Sequence, residues 1–183
     1  MTNESALFTR LAQTHRPDCL LSLDGPPPQP APDPGELART LGSDAVAAYA
    51  SACRPIYEDL RRIIGQCAGL AILARLTSRN EIRDLPELAQ CEARWKAAAE
   101  RLAALPSPGG VAGHRAQLEH AHGFSGLALR TFLEIRGREG LEAALDLAGL
   151  QIKRAYAHLE AASAAKAGLQ MVDFTHACCA CAH

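Results

Sequence analysis

Aromatic side chains are scarce in this chain, at 4% of 183 residues, although apolar residues overall reach 48%. Alanine makes up much of the apolar share, so a core of this composition packs small side chains closely. That suits helices, in which alanine is the best former, better than sheets, which enrich aromatic and β-branched residues. Lysine is nearly missing, limited to Lys96, Lys153 and Lys166, and the other cations are arginines. A net charge of −1 excludes the strong basic footprint expected of a nucleic-acid binder or of a protein held to an acidic membrane. No apolar run of about 18 residues is present to span a bilayer. Met1 to Arg16 lacks the apolar segment after a basic stretch that marks a signal peptide. These absences set the expectation of a cytoplasmic protein whose length fits one domain with a real core. Thiols stay reduced in the cytoplasm, and seven cysteines is an odd count, which argues against a disulfide framework.

Familiar catalytic signatures are also missing. The chain has no Walker-type phosphate loop, no strand-linked dinucleotide fingerprint and no Gly-x-Ser-x-Gly elbow. An enzyme reading is therefore not favoured.

What is present is helical periodicity. Glu4, Leu7, Phe8 and Leu11 fit a short amphipathic helix, and Pro17 to Leu23 reads as extended. Pro26 to Pro34 holds six prolines in nine residues, which predicts an irregular or polyproline-like connector. From Ser43, a good N-cap, an apolar stripe through Tyr49, Cys53, Tyr57, Leu60, Ile64 and Cys67 continues to Leu76, with Pro55 expected to kink or split it. A second helix is expected from Asp84, where Asp84 and Glu87 resemble a capping box. Its face is Leu85, Leu88, Cys91, Trp95, Ala98 and Leu102, and it is stopped by Pro106 to Gly110. A third runs from Val111 to Ile135 with His114, Leu118, His122, Ser125 and Phe132 on its face. A fourth starts at Leu141 after a short glycine turn, and Gly168 weakens its far end. The fold class expected is all-α: an antiparallel four-helix bundle over residues 43–170, with a Pro-rich N-terminal arm over 1–42 and a Cys/His-rich C-terminal tail over 171–183.

Within the expected bundle, Cys53, Cys67 and Cys91 read as core filling, because a free cysteine packs as a small hydrophobe. His114 and His122 share an apolar face and read as satisfied, partly buried histidines. Glu119 and His122 form one Glu-x-x-His, but a di-iron bundle needs two, together with two further inward glutamates. Glu58 and Asp59 only flank the stripe, and Ser125 one turn from His122 is a weak nucleophile pairing.

The tail differs in kind. His176, Cys178, Cys179, Cys181 and His183 place five soft or borderline metal ligands in eight residues. Thiolates select Cu(I), zinc or iron–sulfur clusters, and imidazole suits copper and zinc. Two separated Cys-x-x-Cys knuckles are lacking, as are the four cysteines usual for an iron–sulfur cluster. Were the fourth helix to run on to His183, Cys178 and Cys181 would share one face and Cys179 and His183 another, so the five groups could not converge on one ion. The expected function is a helical body presenting these residues to Cu(I) or Zn(II) as a buffer, carrier or sensor, with a metal-delivery partner. The alternative is a precursor or carrier whose C-terminal cysteines undergo post-translational modification by a partner enzyme. A thiol redox protein, using Cys178 and Cys181, and an enzyme with a site near His114, His122 and Tyr57 are further alternatives. A homodimer is compatible with an alanine-rich bundle.

Overall fold

The computed structural model describes residues 33–77, 85–135 and 140–171, all within one compact unit, Pro32–Met171. The short helix expected over 4–14, the extended stretch after it, most of the proline connector and the whole Cys/His tail lie outside the described residues. So does Asp84, the expected cap of the second long helix.

Five α-helices make up the described fold: α1 (Pro34–Leu41), α2 (Asp44–Thr77), α3 (Pro86–Ala103), α4 (Ala112–Glu134) and α5 (Leu141–Ala161). The class is all-α, a helical bundle, and among the described residues the only β pairing is an isolated bridge between Ala164 and Leu169. No helix among these residues is long and apolar enough to cross a membrane.

The first helix falls in the stretch that the proline count assigns to the arm. Pro34 occupies its first turn, where a missing amide costs nothing, and Asp33 Oδ1 accepts from the Glu36 N–H at 2.9 Å. Gly42, at φ 71°, ends it by donating its N–H to the Ala38 carbonyl. Leu37 is buried, and α1 packs against α2. The proline-rich connector thus runs into a capped helix that contributes to the core.

Ser43 caps α2 as expected, its Oγ accepting from the Val46 N–H at 3.4 Å. The helix then continues unbroken for 34 residues, with Pro55 inside it. Proline removes the bond that would reach the Ser51 carbonyl. Both Ser51 and Pro55 are exposed, so water can take the freed carbonyl and no split is forced. The opposite face carries Cys53, Ile56, Tyr57, Leu60 and Ile63, all fully buried. α3 begins at Pro86 rather than Asp84, with Leu85 in the N-cap position and no side-chain cap bond.

The core is built as the composition implies. Ala74, Ala98, Ala121, Ala128, Ala148, Ala155 and Ala162 are fully buried among Leu118, Leu145, Leu159 and Phe132. The most extensive helix pair is α4 with α5, and α2 touches every other helix. Past Ala161 the chain reverses: Ala164 and Leu169 exchange both backbone bonds around a 3-10 turn, Ala165–Ala167, and Gly168 closes it at φ 70°. The reversal buries Leu169 and Ala167 and sets Ser163 Oγ 2.7 Å from the hydroxyl of Tyr57 on α2. The fourth long helix therefore stops before the point where glycine weakened it.

Candidate functional site

His176, Cys178, Cys179, Cys181 and His183 lie outside the described residues. Among those described, no group of three or more His, Cys, Asp or Glu side chains could hold a metal ion. What the structure does place are the other chemistry-bearing groups, and it distributes them along three helix seams.

On the α2–α4 seam, His114 Nδ1 lies 2.9 Å from the Tyr49 hydroxyl and Nε2 lies 2.8 Å from the Ala162 carbonyl. A carbonyl only accepts, so Nε2 carries a proton and donates. In the neutral ring Nδ1 then accepts from Tyr49. Tyr49 also bonds to Cys53 one turn further along α2. Burial pushes the Tyr49 hydroxyl up, and it holds the Cys53 thiol at about 11, well above the ordinary thiol range. Tyr49 and Cys53 therefore hold their protons, and His114 links Tyr49 to the Ala162 carbonyl. With both ring nitrogens engaged, His114 would have to break a bond to bind a metal or take up a substrate proton.

On the α3–α4 seam, Trp95 and His122 exchange bonds with each other's backbone. The indole Nε1–H donates to the His122 carbonyl at 2.9 Å, and His122 Nε2–H donates to the Trp95 carbonyl at 3.1 Å. The two rings stack with centroids 4.5 Å apart and planes 8° from parallel. Burial lowers the His122 pKa, and the bond to Trp95 only partly opposes that. The indole can lie here because residue 126 is glycine: a Cβ there would sit 2.6 Å from the Trp95 ring.

On the α2–α3 seam, Cys67 and Cys91 are both buried, and their thiols interact across it. Cys91 Sγ also donates to the Ile63 carbonyl at 3.8 Å, one turn before Cys67. The pairing with Cys91, together with burial, pushes the Cys67 thiol far up. Cys91, accepting from Cys67 and lying near Arg94, is held lower. Beside the pair, Arg94 bonds Gln66 Oε1 at 2.7 Å and reaches Asp59, which also takes Arg101.

The sequence reading of the core thiols as packing residues agrees with their burial, but it did not foresee that two of them meet. The spacing within α2 carries no such information, since the partner comes from α3. Glu119 pairs with Arg115 on an exposed face, and Glu58 pairs with Arg61. Ser125 Oγ donates to the Ala121 carbonyl at 2.7 Å, a helix back-bond that uses its hydroxyl proton. A cavity of about 270 Å³ opens between the end of α4 and the start of α5, lined by Thr131, Glu134, Ile135, Gly140, Leu141, Ala144 and Leu147. None of the described histidines or cysteines borders it.

The chain matches no protein-family model, no curated protein and no solved structure.

Proposed function

We propose that the helical body presents residues 176–183 as a soft-metal ligand segment for Cu(I) or Zn(II), acting as a buffer, carrier or sensor in a reducing compartment. The observation that carries the reading is the sequence itself, which sets three thiols and two imidazoles within eight positions. Chemistry favours Cys178, Cys179 and Cys181 as the primary ligands for Cu(I), with His176 and His183 completing a zinc set. The body supports this reading by contrast, because its described thiols are buried and three of its imidazoles are committed to internal bonds. We further propose that α2 to α5 form an antiparallel four-helix arrangement. Supporting it, Arg75 near the end of α2 pairs with Asp146 near the start of α5, and Gln117 near the start of α4 bonds His158 near the end of α5.

Metal analysis tests the reading. The full chain is titrated with Cu(I) and with Zn(II) beside a version truncated after Thr175. The expected result is saturable binding that the truncation removes while the helical circular dichroism is kept. Unchanged stoichiometry after truncation would overturn it. Intact mass of the isolated protein tests the modified-precursor alternative, which requires added or lost mass confined to residues 176–183.

A further inference from the structure

Two buried thiols that interact across a helix seam can become one bond. We propose that Cys67 and Cys91 are a reversible disulfide site, oxidised by hydrogen peroxide, that ties α2 to α3. The proposal is independent of the metal reading for residues 176–183.

The geometry supplies what the reaction needs. The Cys91 Sγ–H bond to the Ile63 carbonyl holds that sulfur against the turn of α2 that leads to Cys67, whose buried thiol lies on the same face of α2 one turn further on. The Cys67 thiol first, and Arg94 after it, favour the Cys91 thiolate against the cost of burial. In the first step the Cys91 thiolate sulfur attacks one peroxide oxygen. The O–O bond breaks, and the departing hydroxide takes a proton to leave as water, giving a sulfenic acid. In the second step the Cys67 sulfur attacks the Cys91 sulfur. The S–O bond breaks, and hydroxide leaves with the Cys67 proton as a second water. Two thiols and one peroxide have become a disulfide and two waters.

Burial favours this product over a metal complex at the same place. A Cu(I) ion held by two thiolates would leave a net negative charge in an apolar core, whereas the disulfide carries none. It also shields Cys91 from further oxidation, because the resolving thiol lies closer than a second peroxide. Access is through opening of α3, whose first turn has no side-chain cap bond.

The test uses the full reduced chain. It is treated with stoichiometric hydrogen peroxide in native buffer, alkylated under denaturing conditions and digested with trypsin. Cleavage after Arg62, Arg75, Arg83 and Arg94 isolates Cys67 in residues 63–75 and Cys91 in residues 84–94, with one cysteine in each peptide. The expected product is a single linked species of the two, lighter than their sum by two hydrogen atoms and separated again by dithiothreitol. The oxidised protein should melt roughly 5–10 °C higher than the reduced protein. Recovery of both peptides singly, as alkylated thiols or as sulfinic acids, would overturn the proposal. So would linkage that forms only when peroxide is added to denatured protein. The peptide map is read on the wild-type chain, so it does not depend on any variant folding.

Discussion

Two of the seams of α4, those against α3 and α5, use the same ring chemistry with different degrees of commitment. Against α3, Trp95 and His122 stack, each donates to the other's backbone, and Gly126 opens the space that the indole fills. Against α5, Phe124 stacks on His158 at 5.4 Å, His120 tilts against the same imidazole, and Arg154 lies over the Phe124 ring at 5.5 Å. That second group is half open: His120 and Arg154 are exposed, and Phe124 and His158 only partly buried. The first seam can be packed only one way, because a backbone position, two hydrogen bonds and a stack must agree. The second can rearrange its rings and let water replace what is lost.

The largest effect should come from filling the space at residue 126. In Gly126→Val the branched side chain meets the Trp95 ring well inside contact distance. The chain must shift α3 from α4 or expel the indole, at a cost of about 3 kcal/mol or more. Chemical denaturation of the purified variant measures it. The milder Gly126→Ala sharpens the point in a double-mutant cycle with Trp95→Phe. The smaller ring relieves the clash, so the double variant should be more stable than additive costs predict. Additive behaviour would mean that the indole does not depend on the glycine.

Trp95→Phe by itself should cost about 1–2 kcal/mol, since it keeps a stacking ring but leaves the His122 carbonyl without its indole donor. Losing less than a few tenths would show that the helix bond to that carbonyl already satisfies it.

The same seam sets a pH dependence. Burial holds His122 below its unfolded value of 6.5. Above that pH both states are neutral at this ring and nothing is lost. As pH falls from 6.5 toward the folded value, the unfolded chain binds a proton that the folded chain refuses, and stability drops. His122→Gln, which retains an amide donor for the Trp95 carbonyl, should flatten that slope in urea titrations between about pH 5 and 6.5.

The faces of these helices were legible because burial repeats along them every three to four residues. Leu88, Cys91, Ala98 and Leu102 on α3, and Leu118, Ser125, Leu129 and Phe132 on α4, are all buried as the periodicity required. Pairings between faces were not legible. Nothing near Trp95 in sequence identifies Gly126 as its seat, and a glycine inside a helix reads as a weak point until its neighbour is known. The Cys67–Cys91 contact was hidden for the same reason, since two helices must adopt one register before the thiols meet. Proline density misled at Pro34, which starts a helix capped by Asp33. Pro55 sits inside α2 without splitting it. For the ligand role proposed for 176–183, residue types and spacing are the whole basis, and those residues lie outside the described ones.

The smallest effect should come from the α4–α5 rings. Phe124→Leu keeps apolar area against α5 while removing the faces on which His158 and Arg154 rest. A cation over an exposed ring contributes about 0.5–1 kcal/mol, and a half-open aromatic stack about as much, with water able to replace part of both. His158→Gln should likewise cost under about 1 kcal/mol, although it breaks the 2.7 Å bond to Gln117, because neither partner is sealed from solvent. If either substitution matched Gly126→Val in denaturation, the two seams would be equally committed. The openness of the second would then reflect packing strain rather than tolerance. A small cost at Phe124 beside a large one at Gly126 would instead tie the difference to what each seam must satisfy at once: one backbone site with two bonds and a stack, against half-open rings and a solvent-accessible bond.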